Sequence, residues 1–259
     1  MKEITSIHNP AVLALRELQK PRARREQGLF LCESAKMVRE ALALSLCRTL
    51  IVQRGREEDY AREIDAAQAQ GAQVLLVAPP VMQALSEAKT PQGIAATVAI
   101  RPEPQALSGS RVVALDGVQD PGNVGTILRT ADAAGFDGAL LSEACADLYG
   151  AKTLRATMGS VFRVPTRRTG DLVGELAAMR EAGYAVVATE LGGADFYAHC
   201  PHERCVLVIG SEGRGVSEAV RAVATHHLAL PMRGGAESLN AAVAAGIMIY
   251  EMARERQSE

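Results

Sequence analysis

Apolar residues along the chain fall into two kinds of stretch. From Arg111 onward, short and nearly unbroken apolar runs recur at wide spacing, at 112–115, 139–142, 185–189, 206–209 and 227–230. Segments with helical periodicity fit between them at about 123–135, 150–158, 171–182 and 216–224. A strand with one face in water alternates apolar and polar residues. Unbroken runs are expected where helices cover both faces of a parallel sheet. The pattern therefore predicts an α/β region built on a parallel sheet. It closes with an alanine-rich helix from 238 to about 254, carrying Leu239, Val243, Ile247, Tyr250 and Met252.

The first hundred residues predict a smaller α/β unit. Val12, Leu13, Leu15 and Leu18 have helical spacing, and that helix should end by Pro21. Residues 28–32, 49–52, 74–77 and 93–100 are strand-like. Ser34 is placed to cap a helix running through 44, and a charged helix fits at about 57–70. Residues 101–110 hold two prolines, a glycine and two serines. They predict a linker between a domain at 1–100 and another at 111–259.

Charge adds little globally, because the net value is -2. Residues 1–100 carry 13 Lys+Arg against 11 Asp+Glu, with Arg16, Lys20, Arg22, Arg24 and Arg25 clustered. That cluster is open to two readings, an RNA contact or a solvated face. Five cysteines without framework spacing suit a reducing, cytoplasmic setting. The N-terminus shows no signal-peptide pattern and no apolar run reaches membrane-spanning length, so no membrane partner is expected. His199 to Cys205 contains four possible metal ligands at a spacing that matches no zinc pattern.

Three strands of the second region each end in a glycine-rich or polar turn, where α/β proteins place their sites. The first turn is Asp116-Gly117-Val118-Gln119-Asp120-Pro121-Gly122-Asn123-Val124-Gly125, with Asn123 expected to cap the helix that carries Arg129. The second is Ile209-Gly210-Ser211-Glu212-Gly213-Arg214-Gly215. The third is Leu230-Pro231-Met232, followed by Ser238-Leu239-Asn240, with Ser238 expected to cap the final helix. The second turn has neither the glycine order of a dinucleotide fingerprint nor the Lys-Ser/Thr of a phosphate loop.

Taken in order, Asn123-x-Gly125-x-x-x-Arg129, Ile209-Gly210-Ser211-Glu212-Gly213-x-Gly215 and Leu230-Pro231-Met232 with Ser238-Leu239-Asn240 resemble the SpoU (TrmH-type) branch of the SPOUT RNA methyltransferases. The resemblance covers roughly 111–255, and residues 1–100 resemble the small RNA-binding domain that many members carry. It implies methyl transfer from S-adenosyl-L-methionine to a ribose 2′-hydroxyl of RNA; the two-domain layout favours ribosomal RNA, with transfer RNA the other possible target. It also implies a C-terminal trefoil knot, and a homodimer formed through the C-terminal domain that builds the site between subunits.

By family position Gly210, Leu230 and Leu239 would line the cofactor pocket through their backbones, with Met232 beside them, and Thr189 and Glu190 would close it. Arg129 would be the catalytic arginine, oriented by Asn123 and Glu212, while Ser238 and Asn240 hold the acceptor or the active-site loop. A guanidinium is a poor general base, so holding a phosphate or a developing alkoxide suits it better. A hydroxyl attacking a sulfonium needs no metal. Plainer readings stand beside these: Arg129 paired with Asp132 or Asp137, Glu212 as a solvated turn acid, Asn240 as an ordinary first-turn residue. The competing functions are a noncatalytic RNA-binding protein and a nucleotide-dependent oxidoreductase.

Overall fold

The amino-terminal stretch alternates strand and helix: β1 (Lys2–Ile4), α1 (Pro10–Glu17), α2 (Pro21–Gln27), β2 (Leu29–Cys32), α3 (Ala35–Ala43), β3 (Cys47–Gln53), α4 (Ala61–Ala69), β4 (Gln73–Val77), α5 (Pro79–Leu85) and β5 (Ile94–Ala99). These elements come from a computed structural model that describes residues 1–254; residues 255–259, the end of the expected second domain, lie outside the described residues. The strands form a mixed sheet in the order β1-β4-β3-β5-β2, with β5 antiparallel to both of its neighbours. Ser34 caps α3 as its position predicts, accepting a hydrogen bond from Met37 N at 3.2 Å.

Pro21 does not merely follow the first helix. It opens α2, as Pro79 opens α5, and neither helix is apparent from periodicity. A proline whose missing N–H costs nothing at the first helical position reads equally well as a stop or a start. The basic cluster divides on α1, α2 and the turn between them. Arg24 is buried and donates to Leu18 O at 2.7 Å, while Lys20 and Arg22 pair with Glu17 and Glu26. Arg16 and Arg25 are exposed and enter no ion pair among the described residues.

The second stretch contributes β6 (Arg111–Asp116), α6 (Pro121–Ala133), β7 (Gly138–Ser142), α7 (Ala151–Thr157), β8 (Thr166–Thr169), α8 (Leu172–Glu181), β9 (Ala185–Asp195), α9 (Phe196–His199), β10 (Cys205–Gly210), α10 (Glu218–Val223), β11 (His226–Ala229) and α11 (Ala241–Ala253). Its sheet is parallel throughout, in the order β11-β9-β10-β6-β7-β8. The apolar runs at its centre are fully covered, with Val112 to Leu115 and Val206 to Val208 without solvent exposure. The polar edge strand β8, Thr-Arg-Arg-Thr, carries no apolar signal that would announce it.

The chain separates into two compact units that do not follow chain order. One contains Met1–Pro102 and Tyr149–Phe162; the other contains Glu103–Leu148 and the chain from Arg163 onward. Leu154 and Phe162 belong to the same buried cluster as Phe30, Leu50, Val52 and Val98, with Tyr149 and Val161 packed against it. Phe30 lies 4.9 Å from the Tyr149 ring and 6.1 Å from that of Phe162, centroid to centroid. The expected linker is tied down at its far end. Glu103 accepts from Arg168 N, Pro104 O from Arg167, Gly109 O from Tyr184 Oη, and Asp137 from Ser110 N, over 2.7–3.2 Å.

Candidate active site

The turn after β6 is built around Asp120, not Asn123. Asp120 is the N-cap of α6, its side chain accepting from Asn123 N at 2.9 Å, and Pro121 takes the first helical position. An Asp-Pro pair satisfies both the cap and the fixed φ of a helix start, so the helix begins earlier than the glycine turn indicates. Asn123 is thereby released from capping. It sits on the buried face, with 9% of its surface exposed, and its side-chain amide is free to work elsewhere.

That amide is the middle of a three-residue chain. Asn123 Nδ2 donates to Glu212 Oε1 at 2.7 Å, and Asn123 Oδ1 accepts from Asn240 Nδ2 at 3.1 Å. Asn240 in turn caps α11, its Oδ1 accepting from Ala242 N and Val243 N at 2.9 and 3.2 Å. The expected cap at Ser238 is thus displaced by two residues, and Asn240 is more than a first-turn residue. It couples the start of α11 to α6. Because each amide donates with nitrogen and accepts with oxygen, the α11 cap fixes which way both amides face. Partial burial raises the Glu212 pKa, but hydrogen bonds from Asn123 and from backbone N–H groups of Glu212 itself, Gln119 and Asp120 outweigh it. The carboxyl therefore lies below the ordinary range and stays ionised.

Glu212 is presented by a tight loop after β10. Ser211 and Gly215 form a bridge, Ser211 N to Gly215 O at 3.1 Å and Gly215 N to Ser211 O at 2.8 Å, with Gly215 in the left-handed region. Asp116, at the end of β6, accepts from Ser217 N at 2.8 Å and holds the exit of the loop. The loop folds back so closely that a Cβ on Gly210 would stand 2.0 Å from Gly215 C and 2.1 Å from Val216 N. The space that glycine leaves at 210 is filled by the chain's own backbone.

Beside this loop lies a cavity of about 670 Å³, within the usual range for small-molecule sites. All six residues expected to bind a cofactor line it: Thr189, Glu190, Gly210, Leu230, Met232 and Leu239. Glu212, Ser238 and Asn240 line it too, together with Arg214 and Arg221, which carry no sequence signal. Thr189 Oγ1 donates to Val208 O at 3.0 Å, fastening the end of β9 to β10.

Arg129 stands apart from this network. It lies six residues beyond Asn123, roughly a third of a turn away around the helix axis, on the exposed face of α6 with Thr126 and Ala133. It enters no hydrogen bond or ion pair among the described residues. Both acids that a structural reading assigns to it are engaged otherwise: Asp132 with Arg163 at 2.7 Å, and Asp137 with the backbone N–H groups of Ser110 and Arg111.

Residues 110–250 match the model of the SpoU rRNA Methylase family, and residues 9–96 match that of the MRM3-like substrate binding domain. The chain is 36% identical over 254 residues to the 23S rRNA (guanosine(2553)-2′-O)-methyltransferase RlmP of Bacillus subtilis, covering 97% of this chain and 99% of the relative. The chain belongs to the SpoU family. Among solved structures it is similar to an AdoMet-bound rRNA methyltransferase from Sinorhizobium meliloti, with TM-score 0.84 and 36% identity over 97% of both chains. It is also similar to the SpoU methyltransferase AviRb from Streptomyces viridochromogenes in complex with AdoMet, with TM-score 0.83, 28% identity and coverage of 95% and 97%.

For this SpoU-family chain the oxidoreductase alternative falls away. Of the family's polar motif residues, the fold gathers Asn123, Glu212 and Asn240 into one hydrogen-bonded chain, leaves Ser238 on the cavity wall, and turns Arg129 outward. The segment from His199 to Cys205 is taken up by structure, with Cys205 opening β10 and burial pushing its thiol up to about 12. Among the described residues no group of three or more His, Cys, Asp or Glu is placed to hold a metal ion.

Proposed function

We propose that this protein transfers the methyl group of S-adenosyl-L-methionine to a ribose 2′-hydroxyl of RNA, with ribosomal RNA as its substrate. The observation that carries the reading is the Asn123–Glu212–Asn240 chain at the rim of the cavity. A noncatalytic RNA-binding protein has no use for two amides and an ionised carboxylate locked in one orientation beside a small-molecule site. The cavity suits the cofactor: apolar Leu228, Leu230 and Leu239 for a purine, and the carboxylate of Glu212 for a positive charge. When bound, S-adenosyl-L-methionine supplies a methyl carbon already activated by its sulfonium. The protein's residues then have to align and to stabilise charge.

Glu212, held ionised by its hydrogen bonds, orients Asn123 and is a weak proton acceptor. Arg129 holds the acceptor phosphate or the developing alkoxide, which its permanent charge suits and its pKa does not spoil. As it faces outward in its own subunit, Arg129 serves the cavity of a second copy. The surface for that copy is α11, where Val243, Ile247 and Tyr250 recur at helical spacing and remain 51%, 37% and 55% exposed. They are not core residues, and α11 packs beside α6. The first unit binds the RNA, with Arg16 and Arg25 among its contacts. A trefoil knot is part of this reading, supported by the insertion of β10 between the earlier strands β9 and β6. A cytoplasmic setting accords with five free cysteines and with the lack, among the described residues, of any helix long and apolar enough to cross a membrane.

The test uses isotopically labelled S-adenosyl-L-methionine, ribosomal RNA and the purified protein. A 2′-O-methyl group removes the hydroxyl that alkali uses to cleave the chain, so the label should appear in alkali-stable dinucleotides. Label confined to mononucleotides would place the methyl on a base and overturn the ribose assignment. Replacing Ile247 with Glu should yield monomers by light scattering and abolish transfer, because burying an unpaired carboxylate in an apolar interface is strongly unfavourable. A dimer of undiminished size would remove α11 from the interface.

A further inference from the structure

We infer that Arg221 and His227 are positioning residues which present Glu190 to the ribose of the cofactor's nucleoside half; the inference rests on the methyltransferase reading. The starting point is a break in the β9–β11 ladder. Ala188 stands opposite His227, but the next residue of β11, Leu228, stands opposite Ala194. Residues 189–193 therefore leave the ladder, and Glu190 and Leu191 reach the cavity wall. The excursion is pinned where it returns, because a Cβ on Gly193 would stand 2.7 Å from His227 O.

Two basic side chains from separate elements meet one oxygen of this glutamate. Arg221 Nη1, from α10, lies 3.8 Å from Glu190 Oε2, and His227 Nδ1, from β11, lies 3.4 Å from the same atom. Oε1 makes no hydrogen bond among the described residues. Part-exposed pairs of this kind add little to stability. What they do is fix a rotamer, leaving one acceptor oxygen for a ligand.

An ionised carboxylate only accepts hydrogen bonds, so its partner must carry donors, as ribose hydroxyls do. An acid that reads ribose beside a glycine-rich turn is a recurrent solution in parallel sheets. Leu191, Leu228 and Leu230 line the cavity along with Glu190 and suit the attached purine. The strand order places Glu190, on β9, across β10 from the β6 end where Asn123 and Glu212 meet. The nucleoside is thereby held away from the end where transfer occurs.

Calorimetry with two ligands tests the assignment: S-adenosylhomocysteine, and 5′-methylthioadenosine, which keeps the ribose and purine but lacks the amino-acid end. Arg221→Ala should weaken both by the same factor, roughly tenfold, the scale of one charge-assisted hydrogen bond. Arg221→Lys should restore part of the loss, and His227→Ala should repeat it from a second element. In a Glu190→Gln background Arg221→Ala should have no further effect. Loss confined to S-adenosylhomocysteine would mean that Arg221 contacts the amino-acid end directly, and would overturn the inference, as would additive losses in the double variant. Unchanged affinities in all variants would overturn it while leaving the methyltransferase reading intact. A wild-type chain that bound neither ligand would overturn both.

Discussion

Arg129→Ala is expected to reduce methyl transfer by on the order of a hundredfold or more, the scale at which removal of one preorganised charge-stabilising group acts. The backbone position of Arg129 is fixed by a helix whose start is set by Asp120 and Pro121, and among the described residues its guanidinium is free of any partner within its own chain. Arg129→Lys keeps the charge and loses the planar fork, so it should recover part of the rate. Affinity for S-adenosylhomocysteine should barely change in either variant, since Arg129 does not line the cavity. Single-turnover transfer with saturating cofactor and RNA is the measurement. Its location on an outward face permits a sharper version. Mixing Arg129→Ala subunits with subunits unable to bind cofactor should regain activity, up to about a quarter of wild type from statistical pairing. If Arg129 serves the cavity of its own subunit, no mixture regains anything. Near-wild-type rates for the alanine variant would leave the arginine without a catalytic role.

Gly210→Ala should abolish cofactor binding through the protein's own loop. The added methyl would lie 2.0 Å from the backbone of Gly215, so the 211–216 segment must move, and with it Glu212 and one wall of the cavity. Overpacking of this kind costs roughly 1–3 kcal/mol. A lower unfolding temperature is therefore expected even without cofactor, and calorimetry should detect no S-adenosylhomocysteine binding. Had the glycine been needed only to admit the ligand, the cofactor-free protein would unfold at the wild-type temperature and lose affinity alone. That outcome would show that the loop tolerates the methyl and that the backbone contact is not what requires glycine.

Much of this was legible in the chain itself, and the failures have identifiable causes. The central strands announce themselves because both faces are covered, so Val112 to Leu115 and Val206 to Ile209 have no polar residue to confuse them. The edge strand β8 is made of two threonines and two arginines and announces nothing. Both caps were misplaced for one reason: Asn123 and Ser238 are good capping residues with better-placed competitors nearby. Asp120 precedes a proline, and Asn240 directly precedes the alanine run of α11. The cavity-lining set followed from the strand ends and the family motifs, because turns after parallel strands converge on one edge of the sheet. Arg221 and His227 did not, since which side chain meets Glu190 depends on a ladder break that leaves no periodic trace. Gly210 was expected on the pocket wall from the family motif, but the backbone atoms of Gly215 and Val216 that fill the space beside it could not be read from a one-dimensional pattern.

The packing of Tyr149–Phe162 with Phe30 bears on how such a protein could be taken apart, by evolution or at the bench. The chain passes from one unit to the other three times, after Pro102, after Leu148 and after Phe162, although residues 1–100 read as a contiguous block. A gene fragment ending in the proline-rich segment would encode that block without Leu154 and Phe162, which complete its core. The complementary fragment would carry the same two side chains with nothing to cover them. Exchange of the amino-terminal unit between relatives by a single crossover would therefore leave both products flawed. A functional graft has to move two separated pieces of sequence together, so a change in what this unit does is more readily reached by point substitution on an intact scaffold than by shuffling of parts.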